Sequence, residues 1–204
     1  MLIPTIFDDF PNAIPSKGIL HIGGSECEEK ELYHKYNIKD ENILWIEALP
    51  ELVEKHKNNN IINAVISNTD NEEVSFHITN VTQASSLLKL KYHKINHPEI
   101  YVNETRTVKT ITLNTLYEQH NIPYDRYDVI NIDIQGGELN AFKGATKILP
   151  HIKAIYSEVN VKEIYENNCF MHELDDYLQQ YNFKRVVGGA CPKSGWGDAL
   201  YLKE

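Results

Sequence analysis

The sequence is short of basic residues, of cysteine and of long apolar runs. Its 20 Lys and Arg stand against 29 Asp and Glu, a formal net charge of −9. No basic run exceeds two residues. A nucleic-acid partner is therefore not expected, because Lys and Arg must neutralise its phosphates. Cys27, Cys169 and Cys191 are far apart and odd in number. They offer neither a disulfide framework nor a CxxC metal clip, and they suit a reducing cytoplasm. No stretch approaches the roughly 20 apolar residues of a membrane span. Met1 to Asp9 lacks the positive and apolar regions of a secretory signal.

What is present is an ordinary globular composition, 42% hydrophobic and 24% charged over 204 residues. A chain of that size buries roughly 70% of its unfolded surface. Residues 1–204 are thus expected to form a single domain whose core needs no disulfide or metal.

Short strands alternate with helices. Gly18–Ile22 is a buried-strand run ending in Gly23-Gly24. Ser25, with Glu28 three residues on, has capping-box spacing and predicts a helix from about Glu26 to Tyr36. Asn42–Glu47 is a strand ending in an acid, and Pro50 opens a helix to about Lys57. Ile61–Ser67 reads as the third strand and Val74–Ile78 as a further one. Residues 79–104 are polar and irregular, as functional loops often are. Thr107–Leu113 reads as a strand, with Asn114 as a cap for a helix to His120. Tyr127–Ile134 is the clearest buried strand, and a helix over about Leu139–Lys147 follows it. Ala154–Glu158 is a strand and Met171–Gln180 a helix. Phe183–Val187 and Asp198–Leu202 are strands with no helix between them, so they should pair antiparallel. The alternation predicts an α/β fold, an open and mostly parallel sheet with helices on both faces. Ligands of such sheets bind at the carboxyl ends of the strands.

Four constellations fall at those ends. His21-Ile22-Gly23-Gly24-Ser25, with Glu47 ending the second strand, suits an adenosine-containing ligand. The glycine turn admits the ligand to the backbone, and the acid accepts from ribose hydroxyls. Cys27 stands where a further glycine of a GxGxxG would be expected, which argues against a pyrophosphate loop. Asp133-Ile134-Gln135-Gly136-Gly137-Glu138 ends the fourth core strand. Asp133 should point into the crevice, and Glu138 should sit at the next helix N-terminus, where negative charge is favoured. Glu158 ends a neighbouring strand. With His21 across the crevice, the two carboxylates form an acid/base pair or a divalent-cation site, between which the residues do not decide. Trp196, between Gly195 and Gly197, either stacks on a sugar face or plugs the sheet end. His93 and His97 share a helical spacing, but Pro98 and the lack of a nearby Cys or Asp argue against zinc. Cys27 reads as a small buried residue.

Taken in order, these pieces resemble the FkbM-type methyltransferases, a branch of the S-adenosylmethionine-dependent Rossmann-like enzymes. The resemblance spans most of residues 17–203. It is carried by Gly18-Ile19-Leu20-His21-Ile22-Gly23-Gly24, Trp45-Ile46-Glu47-Ala48, Ala64-Val65-Ile66-Ser67, Phe76-His77-Ile78-Thr79-Asn80 and Ala84-Ser85-Ser86. It continues through Asn131–Leu139, Ser157-Glu158-Val159-Asn160 and Gly195–Tyr201. It implies a class I methyltransferase fold of seven strands with an antiparallel last strand, and S-adenosyl-L-methionine as cofactor. By the same resemblance, His21, Gly23, Gly24 and Ser25 line the methionine part, Glu47 holds the ribose and Ala48 lies beside the adenine. Ser67 meets the adenine edge, while Ser85, Ser86, Asp133 and the adjoining Gln135 approach the sulfonium end. The first loop departs from the branch's usual Gly-Ala-His-x-Gly-Glu-Glu, reading Gly23-Gly24-Ser25-Glu26-Cys27-Glu28-Glu29.

The resemblance implies O-methylation of a hydroxyl on a small-molecule or glycan acceptor, with Asp133, Glu158 or His21 as base and no metal ligand assigned. Two other readings stay open: a nicotinamide-dependent oxidoreductase on a similar sheet, and a binding module that has lost its chemistry. The acceptor pocket is expected to draw on residues 79–104, Tyr165 and Trp196.

Overall fold

The computed structural model describes residues 6–92, 95 and 97–204. Its strands are β1 (Ile19–Ile22), β2 (Ile43–Glu47), β3 (Ile61–Asn63), β4 (Val65–Ile66), β5 (Glu73–Thr79), β6 (Val102–Ile111), β7 (Val129–Ile132), β8 (Ala154–Asn160), β9 (Phe183–Ala190) and β10 (Trp196–Lys203). The helices that matter to the site are α1 (Ile6–Asp9), α2 (Lys30–Lys35), α3 (Pro50–Lys55), α4 (Leu113–Gln119), α5 (Glu138–Lys143) and α6 (Met171–Gln179).

Seven strands form one sheet in the order β3-β2-β1-β7-β8-β10-β9. β1 pairs in parallel with both β2 and β7, and β7 with β8. β10 inserts antiparallel between β8 and β9, setting Asp198 opposite Glu158. The chain runs outward from β1 to β3 and then returns to β7 on the other side. The switch point therefore lies between β1 and β7, where a crevice opens at the strands' carboxyl ends.

Both faces of the central strands are covered, which is why they read as continuous apolar runs. Side chains alternate in direction along a strand. Leu20 and Ile22 join Leu44, Ile46, Ile130 and Ile132 under α4, α5 and α6, in a core with Leu113, Phe142 and Leu174. Ile19 points the other way, to a second core with Ile43, Trp45, Tyr33 and Phe7 under α1 and α2.

The expected third strand, Ile61–Ser67, is broken at Ala64. β3 pairs with β2, whereas β4 leaves the sheet and pairs with β6. β5 and β6 do not join the main sheet but build a smaller one, ordered β4-β6-β5. Much of β6 is exposed and polar, from Asn103 to Lys109, and such a strand cannot be buried on both faces. Two helix starts also differ from expectation. α2 begins at Lys30 rather than near Glu26, because Ser25 (φ 42°) and Cys27 (φ 56°) take left-handed backbone. α4 is capped by Thr112, whose hydroxyl accepts from Thr115 N at 3.1 Å, and not by Asn114.

Candidate active site

A cavity of about 700 Å³ opens at the switch point. Volumes of this order enclose cofactor-sized ligands. One side is apolar, built by Leu49, Leu52, Val65, Ile66 and Phe76. The floor is polar, with His21, Asp133, Gln135 and Glu158. The cavity lining includes six acidic side chains and, among the described residues, no Lys or Arg.

The loop after β1 can lie where it does only because Gly23 is a glycine. Its φ is 86°, and a Cβ there would fall 1.9 Å from the Asp133 carbonyl oxygen. The next residues bring Ser25 to Glu47. The Glu47 carboxylate accepts from Ser25 N and from Leu49 N, each at 2.8 Å and each on a different oxygen. An ionised carboxylate offers about four acceptor positions, so acceptor capacity remains for a ligand. Burial raises the Glu47 pKa, with the backbone N–H groups of Leu49, Ser25 and Ala48 opposing the shift. The Ser25 hydroxyl is buried and has no hydrogen-bond partner among the described residues. An orphaned buried hydroxyl on the cavity wall, beside a carboxylate with spare acceptor positions, fits an adenosyl amino acid whose ends are both polar.

His21 is 2% exposed and stacks on Trp45 with centroids 4.4 Å apart. Asn131 Nδ2 donates to the Tyr33 hydroxyl at 2.8 Å and also faces His21 Nδ1 at 3.4 Å, so Nδ1 is the unprotonated nitrogen and accepts the Tyr33 hydroxyl proton at 2.8 Å. The ring is then the tautomer protonated at Nε2. Burial lowers its pKa to about 3, and it is neutral at physiological pH. No lone pair of the ring is left to take a proton from a substrate.

The acidic pair is tied together by Gln135. Its Nε2 donates to Asp133 Oδ1 at 2.5 Å and to Glu158 Oε2 at 3.1 Å. Burial raises the Glu158 pKa well above the ordinary carboxyl range, and the nearby Asp133 and Glu138 push it the same way. Glu138, the first residue of α5, turns back to accept from Ile134 N at 3.0 Å and Gly136 N at 3.1 Å. It therefore shapes the loop after β7, as its expected position at a helix start suggested. Burial first, then Asp133, raises its pKa to about 7.

Of the residues singled out in the sequence, His21, Gly23, Ser25, Glu47, Ala48, Ser85, Asp133, Gln135 and Glu158 all line the cavity. Gly24, Ser67 and Ser86 do not. Gly24 packs on Trp45. Ser67 follows the departing β4 and donates its N–H to Ile111 O at 3.1 Å, while Ala64, Val65 and Ile66 take the cavity wall. The Ser86 hydroxyl donates to the Gln135 carbonyl at 2.8 Å, bracing the floor from behind. Trp196 stands at the cavity, 40% exposed, and Val81–Ser85, His97 and Ile100 bring the irregular segment to its rim. Tyr165 is buried behind Gln135 rather than facing an acceptor. Burial also raises the Cys27 thiol pKa to about 11, as suits an inert core residue. His93 lies outside the described residues. Among those described, no group of three or more His, Cys, Asp or Glu is arranged to hold a metal ion. Phe76, Leu49 and Asn131 were assigned no site role from the sequence, since apolar walls and buried amides look alike in a core strand and a site.

The strand order, the antiparallel β10 and the cleft beside Glu47 are those of the class I Rossmann-like methyltransferases. A family model described as the methyltransferase FkbM domain matches residues 20–185. The chain belongs to the FkbM methyltransferase family. Among solved structures it is similar to methyltransferase FkbM from Methylobacillus flagellatus KT, with 15% identity, a TM-score of 0.54 and 92% of this chain covered. This chain spans only 43% of that protein's length. It is also similar to the magnesium protoporphyrin IX methyltransferase ChlM from Synechocystis PCC 6803 with bound S-adenosylhomocysteine. That match has 7% identity, a TM-score of 0.50, and covers 97% of this chain and 78% of the other. At such identities the likeness is one of fold. A search of curated proteins finds no match. No helix among the described residues is long and apolar enough to cross a membrane.

Proposed function

We propose that this protein is an S-adenosylmethionine-dependent O-methyltransferase acting on a hydroxyl of a sugar or glycan. The observation that carries the reading is the pairing of half-buried Asp133 with buried Glu158 on the floor of a cavity that also presents Glu47 and a Ser25 hydroxyl with no partner among the described residues. Glu47 would hold the ribose with its spare acceptor positions. Ser25 and the Gly23 turn would hold the methionine part, and the apolar wall around Leu49, Val65 and Phe76 would take the adenine. When bound, the cofactor supplies a methyl group already activated on a positive sulfur. The chain's work is to orient the acceptor oxygen and to take its proton.

The Asp133–Glu158 pair is the proton acceptor in this reading. His21 has neither the free lone pair nor the basicity for it and serves as a neutral wall. Glu158, its pKa raised by burial, is a stronger base once ionised but ionised in a smaller fraction, so turnover should climb as the pH rises through its titration. Trp196 and the rim over Val81–Ser85 offer the surface against which a sugar ring can lie.

Isothermal titration of S-adenosylmethionine and S-adenosylhomocysteine, with NAD as control, tests the cofactor half of the proposal. Micromolar binding of the sulfur compounds without NAD binding is expected; NAD binding alone would refute it. A screen of neutral glycan acceptors with Asp133→Asn and Glu158→Gln tests the other half. Each substitution should lower turnover about a hundredfold or more, the range of general-base effects, with little change in cofactor affinity. Near-normal turnover in both would remove the pair from the mechanism.

A further inference from the structure

Gln135 touches both carboxylates through a single atom, and its orientation is fixed from the other side. The Tyr165 hydroxyl lies 2.5 Å from Gln135 Oε1 and 3.2 Å from the Ala84 carbonyl oxygen, and the side chain is wholly buried. A phenol donates one proton. Given to Gln135 Oε1, it leaves the amide no choice but to turn its NH2 toward Asp133 and Glu158. An NH2 has two hydrogens, one for each acid. The reversed amide would set its oxygen against two carboxyl groups instead. Gln135 holds this position on left-handed backbone (φ 57°), with its carbonyl pinned by Ser86, so the loop cannot easily carry the amide elsewhere.

We infer that Tyr165 is a positioning residue: by holding the Gln135 carbonyl oxygen it keeps the amide NH2 on Asp133 and Glu158 and sets how tightly that pair holds its proton. Hydrogen bonds to the ionised form favour ionisation. Loss of the Tyr165 hydroxyl frees the amide to turn, and the pair should then hold its proton to higher pH. Other charges also face the pair. Glu138 comes from α5, Asp198 from β10 opposite Glu158, and Glu29 from the turn before α2; His21 on β1 is neutral. None of these touches the Gln135 amide among the described contacts, so Tyr165→Phe leaves them in place. The catalytic meaning of this inference rests on the proposed role of the pair, but the titration does not.

The test is a carbon-13 carboxyl NMR titration of the protein without cofactor, in wild type, Tyr165→Phe and Gln135→Asn. Asn tolerates the left-handed backbone but is too short to bridge the acids. In both variants the pair's apparent titration should move up by about one pH unit, the size expected for one charge-assisted hydrogen bond. The acid limb of the pH–rate profile should move with it, while cofactor affinity in Tyr165→Phe, whose side chain does not line the cavity, stays within about twofold. Unchanged carboxyl titrations in a folded Tyr165→Phe protein would overturn the inference. If Tyr165→Phe does not fold, an unshifted Gln135→Asn overturns it equally. A shift as expected, together with normal turnover in Asp133→Asn and Glu158→Gln, would keep the positioning role and discard the methyl-transfer role of the pair.

Discussion

Ser25 and Glu47 make opposite demands on the folded chain. Burying a hydroxyl without a partner costs roughly 1–3 kcal/mol, and the Ser25 hydroxyl is in that state among the described residues. Ser25→Ala should therefore leave the cofactor-free protein as stable or more so, with Tm unchanged or raised, while weakening S-adenosylmethionine binding in titration calorimetry. Glu47→Gln should act on the ligand too. It replaces one acceptor oxygen, which now meets Ser25 N or Leu49 N, with a donor. A loss of about ten- to a hundredfold in cofactor affinity is expected, the worth of one or two charge-assisted hydrogen bonds. Circular dichroism would show whether the fold persists. These two residues were visible in the sequence because a glycine turn and a strand-end acid are local signs. The state of His21 was not. Its neutral tautomer depends on Tyr33 and on Asn131, 110 residues away along the chain.

Among the elements, the turns set the site more than the strands do. Gly23→Ala would drive a methyl group into the Asp133 carbonyl, so either the β1 loop or the end of β7 must shift. Loss of cofactor binding, with a fall in Tm, is the expected outcome. α4 offers a plainer test, since its cap is Thr112. Thr112→Ala should cost about 1 kcal/mol in a denaturant titration, whereas Asn114→Ala should not touch the cap. The sequence favoured Asn114 because both residues are good caps. The choice fell to Thr112 once β6 ended at Ile111, held by the pairing of β4 with β6. The same pairing drew Ser67 away from the cavity. A run such as Ile61–Ser67 has strand character throughout, and nothing local says that it serves two sheets.

Over the whole molecule, charge is the dominant feature. The net charge is −9 and the cavity lining carries acids without a Lys or Arg among the described residues. An acceptor bearing a carboxylate should be methylated more slowly than its neutral counterpart, and added salt should narrow the gap. Initial rates on matched acceptor pairs at two ionic strengths would check this. Stability carries a signature as well. The Glu138 pKa is raised in the folded protein to about 7, above the ordinary carboxyl value. The folded state thus binds a proton that the unfolded chain releases. The contribution is fully present below the ordinary range and is lost as the pH rises through about 7. Glu138→Gln keeps an oxygen for Ile134 N and Gly136 N and removes the ionisation. Its Tm should exceed that of wild type by roughly 2–5 °C above pH 7.5 and match it near pH 4, as a calorimetric pH series would show.

By itself the sequence determined the alternation of strands and helices, the antiparallel closing hairpin and the placing of Glu47 at the end of β2 and Asp133 just past β7. Each depends on residues a few positions apart, through side-chain period and turn chemistry. Glu158, expected at a strand end, lies two residues inside β8, which pairing with β10 carries on to Asn160. Tertiary structure alone decided which side chains are used up. It spent the lone pair of His21 on Tyr33, broke the third strand between two sheets, and set Tyr165 behind Gln135 instead of at the acceptor's edge. Those outcomes turn on hydrogen-bond partners 12 to 30 or more residues apart, and a donor's identity does not say which acceptor the fold will bring to it.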